Sequence, residues 1–374
     1  KYGAAPGHDL NVVPHPLLNA SFNGSSHDIQ YYPDEDVYLV INDDLNILYC
    51  YNSSGDVRWT YTAVEIINPR SIHFNHAQLA RDDNGELAVF ISVRDYDAIQ
   101  KVNFSDARLI WTLGGTDGEF EITDIDGRVF SAGSGHTPFN HQHNAEYIGS
   151  GRFAMFDNGY NGSVVRDSRM LILTVDEKTK TAAVTWEWST GVSSKIFGDC
   201  DPLPSGNILG SFWPSEVLNE GEDPRSMYEA LGVEVEPSGN LAWMVGIRGT
   251  EQPDTKYVRF EGEAPVGWAM YSIERFYLEI LLSDLSYDSE SKYFTFRVYN
   301  TFRQQYDLET SSVLTCAGRE ISHYFKILPH WQATSVSIDT KILDIEESRQ
   351  ACTLVVATDN ALDGKTSHFN MLEL

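Results

Sequence analysis

His143-Asn144-Ala145-Glu146, followed by the apolar run Phe153-Ala154-Met155-Phe156 and later by Trp186, sets a pattern that the chain repeats. The same order of polar, polar, small apolar, and amide or acid recurs at His27-Asp28-Ile29-Gln30, Asn75-His76-Ala77-Gln78 and Gly198-Asp199-Cys200-Asp201. These tetrads start at 27, 75, 143 and 198, spacings of 48, 68 and 55 residues. In the other three units an apolar strand follows (Tyr38-Leu39-Val40, Ala88-Val89-Phe90, Ile208-Leu209), then a further strand, then one carrying Trp59, Trp111 or Trp243. Turn dipeptides such as Asn84-Gly85 and Ser205-Gly206 separate these runs, and helical periodicity is almost absent, so the chain reads as all-β. A four-strand unit that cannot cover both faces alone must stack on its neighbours around an axis. The spacing therefore predicts a β-propeller of about six blades, with roughly five to seven allowed.

In such a ring the first strand of each unit lines the central channel, so the polar tetrads are expected side by side around the axis. Residues 115–138, rich in Gly and Asp, lengthen the connection between the second and third units and read as a rim or lid, or equally as a plain surface loop. From about Leu278 the rhythm stops. Runs such as Tyr293-Phe294-Thr295-Phe296-Arg297-Val298 and Thr353-Leu354-Val355-Val356 suggest a separate β-sandwich, so the division is 1–277 and 278–374. The alternative is that the C-terminal strands complete the ring as irregular blades.

The net charge of −27 disfavours nucleic acid and anionic lipid as partners. No stretch is apolar enough to span a bilayer as a helix, and the chain, starting at Lys1, reads as a mature or trimmed soluble protein. Cys50, Cys200, Cys316 and Cys352 lack the spacing of a zinc site. Three pairings are formally open, with a Cys316–Cys352 bridge expected and Cys50 and Cys200 free on core-facing strands. Glycosylation sequons at Asn19, Asn23, Asn52, Asn103 and Asn161 exceed the roughly three expected by chance, and several lie in polar turns. Together these features favour a secreted, extracellular protein.

The sequence Ile110-Trp111-Thr112-Leu113-Gly114-Gly115, then His141-Gln142-His143, Phe156-Asp157-Asn158-Gly159 and Leu203-Pro204-Ser205-Gly206-Asn207-Ile208-Leu209, resembles the arylsulfotransferase family over roughly residues 27 to 275. The resemblance implies a propeller whose channel histidines and arginine hold a sulfuryl group, one histidine being transiently sulfated. Similar fungal propellers act as lyases on rhamnosyl-glucuronate linkages. By position, His76 and His143 match the first two channel histidines, and Arg166 is the nearest candidate for the arginine, ahead of Arg169. The departure lies at Gly210-Ser211-Phe212-Trp213, where the sulfotransferases carry Gly-Ser-Ile-His with the acceptor histidine last.

Without that imidazole the sequence favours β-elimination on a uronic-acid-linked glycan. Such a reaction needs a base of near-neutral pKa, a cation for the developing enolate and an acid for the leaving oxygen. His76, His143, Arg166 and Tyr160 are the catalytic candidates; Asn75, Gln142, Asn144 and His27 would position substrate, and Trp213 would stack on a sugar face. The alternatives are sulfuryl transfer between phenols and glycan binding without turnover. Hydrolysis by paired carboxylates is disfavoured because Glu146 and Asp201 have no clear partner spacing. No cofactor is required; Ca²⁺, held by Asp28, Gln30, Gln78 and Glu146, or an ion among His27, His76 and His143, is the rival use of the channel. The expected partner is a glycan or small-molecule substrate, and oligomeric state is not readable.

Overall fold

The structure is a computed structural model describing residues 25–358 and 365–369, apart from 43–44, 64–71, 161–165, 218–223, 250–256, 259, 262–263, 266, 304–305, 317 and 344–351. The sequons at Asn19, Asn23 and Asn161 lie outside the described residues, as does the side chain of Asp28. The chain is all-β, with no α-helix among the described residues.

Four antiparallel meanders follow one another. They are β1 (Ser25–Tyr32) to β4 (Val57–Tyr61), with β2 (Val37–Asn42) and β3 (Ile47–Tyr51) between them; and β5 (Phe74–Arg81), β6 (Leu87–Val93), β7 (Ala98–Asn103) and β8 (Leu109–Gly114). After β9 (Glu121–Thr123) and β10 (Val129–Phe130), the third comprises β11 (His143–Gly149), β12 (Arg152–Asp157), β13 (Arg169–Asp176) and β14 (Thr181–Ser189). The fourth comprises β15 (Asp199–Pro202), β16 (Ile208–Phe212), β18 (Ala230–Val235) and β19 (Leu241–Ile247), with β17 (Glu216–Val217) outside it. Each tetrad opens the first strand of its sheet, and the expected Trp sits on the fourth. β5 lies beside β1 on one side and β11 on the other, and β11 lies beside β15.

The sheets stack face to face because their middle strands are apolar on both faces. Along β6, Val89 and Ile91 join the core shared with the first sheet, while Ala88 and Phe90 join the core shared with the third. Phe156, Met170, Phe212 and Leu231 fill the next interface. Trp111 is buried among Phe90, Phe120 and Phe153, with ring centroids 6.2, 5.3 and 6.3 Å away. Truncating such an indole costs about 3–5 kcal/mol. Within the loop at 115–138, β9 adds in parallel to β14, Thr181 opposite Glu121, and β10 pairs with β9, so this part of the insertion widens the outer edge of the third sheet.

Two short ribbons, β17 with β20 (Tyr257–Val258) and β21 (Phe260–Glu261) with β22 (Ala264–Pro265), precede the C-terminal part. There, β23 (Leu281–Asp288), β24 (Tyr293–Tyr299) and β27 (Thr334–Asp339) form one sheet; β25 (Leu308–Cys316), β26 (Arg319–Ile327), β28 (Cys352–Thr358) and β29 (Lys365–Phe369) form another. Strict alternation sends Phe294, Phe296, Val298, Val336 and Ile338 from the first, and Leu314, Leu354 and Val356 from the second, into one common core. Cys316 and Cys352 are disulfide-bonded, and Cys50 and Cys200 are free and buried, as the spacing suggested.

Candidate functional site

The four first strands run side by side in the same sense, so their beginnings meet at one end and their last residues at the other. At the beginning end stand His27, His73 and His143 with Tyr271. His27 Nε2 lies 2.8 Å from His73 Nε2, and Tyr271 Oη lies 3.3 Å from His27 Nδ1. The Tyr271 hydroxyl also donates to the Asn75 carbonyl at 3.1 Å, and its ring stands 6.0 Å from that of His143.

The protonation of His143 is set by its neighbours. Asn158 donates its amide hydrogens to the carbonyls of Ser194 (2.7 Å) and Phe197 (2.8 Å), which turns its Oδ1 toward His143 Nδ1 at 2.7 Å. His143 therefore carries its proton on Nδ1, and its unprotonated Nε2 accepts from the Phe197 N–H at 3.3 Å. Burial pushes this imidazole well below its ordinary range, and the Arg94 guanidinium adds to the effect. The ring is neutral at neutral pH, its basic nitrogen facing Phe197 and Tyr271. The backbone here is held in the left-handed region at His27 (φ 64°), Asn144 (φ 47°) and Phe197 (φ 60°), conformations costly for residues with a Cβ. Gly198 (φ 120°) must be glycine, since a Cβ would lie 2.2 Å from the Phe156 ring.

The other end is built from charge. Arg303, arriving from the C-terminal part, binds Glu146 through Nη1 (2.8 Å) and Nη2 (3.1 Å), and also Asp201. His76 Nε2 lies 3.6 Å from Glu146. His330 accepts from the Gln78 amide at 3.0 Å, and burial lowers its pKa to about 4. Burial raises Asp201 well above the carboxylate range and raises Asp199 too, although Arg303 opposes the effect in both. Arg303 and His330, with Asp201, Trp331 and Gln332, also line a cavity of about 560 Å³ between the third and fourth sheets and the C-terminal part.

Several expectations from the sequence are thereby redrawn. His76 and His143 both lie on first strands, but they join different clusters, His76 with Glu146 and His143 with Asn158. Arg166 is no open cation: Nη2 binds Asp157 at 2.5 Å and the Pro138 carbonyl at 2.9 Å, with Arg169 on the same carboxylate. Tyr160 stands edge-on to His141 with Lys195 over its ring, and the tyrosine that reaches the imidazoles is Tyr271. Asn75 donates to the Gln142 carbonyl, Gln142 to the Ala98 carbonyl and Asn144 to Asp199, so these amides tie strand to strand. Trp213 is fully buried, its Nε1–H donating to the Trp268 carbonyl at 3.1 Å, and offers no face to a sugar. His27 pairs with His73, and His27, His76 and His143 do not form one ligand cluster among the described residues. Gln78 and Gln30 are spent on Tyr147 and Tyr32.

His73, Tyr271, Arg303 and His330 were not singled out from sequence. His73 stands three residues before His76, a spacing that was legible. Tyr271 and Arg303 come from irregular backbone with no periodic signal.

Fold and site together define an all-β protein of stacked four-stranded meanders with an imidazole cluster where the first strands begin. Residues 71–240 match the family described as Arylsulfotransferase (ASST), and this stretch of the chain is thereby arylsulfotransferase-like. No curated protein matches the sequence. Among solved structures, a protein of unknown function from Bacteroides caccae is similar at 10% identity, over 60% of this chain and 82% of that one, with a TM-score of 0.25. The extracellular domains 1–2 of Drosophila Semaphorin 1a are similar at 10% identity, over 93% of this chain and 86% of that one, with a TM-score of 0.28. At these scores neither likeness carries an argument about function.

Proposed function

We propose that the four meanders are blades of an arylsulfotransferase-like β-propeller, that residues from about 278 onward form a β-sandwich docked on it, and that the imidazole cluster transfers a sulfuryl group between phenols. The observation that carries this reading is the tautomer of His143, a neutral imidazole with Nε2 unprotonated, whose 3.3 Å hydrogen bond from the Phe197 N–H must give way when the nitrogen attacks sulfur. The position that carries the acceptor histidine in the sulfotransferases is filled here by the buried Trp213, so His143 takes that role. The His27–His73 pair and the Tyr271 hydroxyl supply protons to the departing phenolate oxygen. The family match supports sulfuryl transfer. Elimination on a uronate keeps a base in His143 but loses the cation and the stacking surface assigned to Arg166 and Trp213.

The substrate is then a small aryl sulfate and its acceptor a phenol, in a secreted protein; the Cys316–Cys352 bridge and the sequons support that route. Incubation with 4-nitrophenyl sulfate and phenol tests the reading. Nitrophenol release is expected to depend on the acceptor, a sulfated enzyme is expected in its absence, and His143→Gln is expected to lower the rate by about 10³-fold or more while the fold persists. Absence of release, with unsaturated products appearing from uronic-acid polysaccharides, refutes transfer in favour of elimination.

A further inference from the structure

In the charged cluster several carboxyl groups meet around one guanidinium. Glu146, Asp201 and Glu274 surround the Arg303 guanidinium, and Asp199 stands in the same field. Asp199 and Asp201 are 1% and 2% exposed, and Oδ2 of each meets no hydrogen-bond donor. Asn144, 6% exposed, repeats the deficit with a neutral group: its amide nitrogen donates to Asp199 Oδ1 at 3.1 Å, and its Oδ1 is sealed from solvent without a donor. Glu146, Asp201 and Glu274 share the one Arg303 guanidinium, and burial disfavours the charged forms of Asp199 and Asp201. Buried charges left unpaired are strongly disfavoured, so a compensating group is required.

We infer that Asp199, Asp201 and Glu274, with the Asn144 carbonyl oxygen, form a binding site for a divalent cation of the Ca²⁺ type. One oxygen from each of the three carboxylates lies within 4.8 Å of the others, the spread that three ligands take when each sits about 2.3–2.6 Å from one ion. Arg303 occupies Oδ1 of Asp201 and leaves Oδ2 for the ion. The donors are all hard oxygens, which select Ca²⁺ over Zn²⁺ or Cu²⁺. Glu274 is the partly exposed ligand, and the cavity lined by Asp201, Glu146 and Arg303 provides water for the remaining coordination positions. These ligands differ from the channel set proposed from sequence, and the site stands whether or not the imidazole end transfers sulfuryl groups.

The test is titration of EGTA-stripped protein with CaCl₂ by calorimetry and by thermal unfolding. Saturable uptake of Ca²⁺ is expected, with a rise in Tm and weaker binding of Mg²⁺. Asp199→Asn and, because its carboxylate is the solvent-side ligand and folding does not hinge on it, Glu274→Gln are each expected to weaken Ca²⁺ binding about ten-fold or more. The inference is overturned if stripped protein takes up no Ca²⁺, Mg²⁺ or Mn²⁺ at millimolar concentration, or if Ca²⁺ binds both variants as tightly as the parent.

Discussion

The two ends of the first strands use the same repeat for opposite purposes. Where the strands begin, His143 is kept neutral and its tautomer is fixed by an amide; further along β11 and β15, Glu146 and Asp201 are gathered around an arginine lent by another part of the chain, with Asp199 in the same field. The first arrangement leaves His143 Nε2 unprotonated, with only a backbone N–H, that of Phe197, donating to it at 3.3 Å. The second uses up its donors in contacts between sheets and the C-terminal part, as a structural joint does. Similar residue types at corresponding positions thus diverge in role because of what packs against them.

The most forceful way to break this contrast is to remove the joint. Arg303 is the guanidinium that binds Glu146 and Asp201, and it is held firmly in its charged form. Removing one partner of a buried ion cluster costs about 3–5 kcal/mol. Arg303→Ala in chelated protein should therefore lower the urea-unfolding free energy by that amount while leaving aryl-sulfate turnover, measured below the transition, within a few-fold of the parent. Equal loss of turnover would mean that the two ends act as one unit.

Acid sharpens the comparison, because groups within the charged cluster respond with opposite sign. His330 has its folded pKa lowered to about 4, below the ordinary 6.5, so the unfolded chain binds more protons between those values and stability falls as pH drops through that window. The cost attributable to this one group is about 2 kcal/mol between pH 7 and pH 5. Asp199 and Asp201, raised in the fold, take up protons as pH falls before the unfolded chain does, and so oppose this loss. His330→Gln should flatten the acid loss in urea-unfolding measurements from pH 7 to pH 5; an unchanged slope would place that loss elsewhere, with His143 the next group to test.

Much of this division was written in the sequence, and the remainder was hidden for identifiable reasons. The tetrads and the Trp residues were legible because period-two strands with a polar edge leave a repeating mark: each tetrad lies on the first strand of a four-stranded meander and each Trp on the fourth, the third meander being extended past Trp186 by β9 and β10. Arg166 misled because motif position says nothing about a neighbour: Asp157, within the same Phe156-Asp157-Asn158-Gly159 motif, claims it. Tyr271 and Arg303 were unreadable because each is carried by irregular chain far from the strands it serves, Tyr271 reaching Asn75 and Arg303 reaching Glu146. Contacts of that separation leave no local pattern.

Trp213 marks where sequence and structure part most sharply, and its replacement is expected to have the smallest effect. As a stacking platform it would govern substrate affinity, and Trp213→Phe would raise KM strongly. In the structure the indole is buried against Phe197, with ring centroids 6.1 Å apart, and its Nε1–H is bonded to the Trp268 carbonyl. Phenylalanine keeps most of the apolar contact and loses that one hydrogen bond, a change of about 1 kcal/mol in stability plus the cost of the smaller volume. Because Phe197 also contributes the N–H that approaches His143 Nε2, the substitution should reach the imidazole end only through that loop, as a modest fall in kcat with KM unchanged. A large rise in KM for either substrate would return Trp213 to the binding surface and remove the reason for assigning the acceptor role to His143.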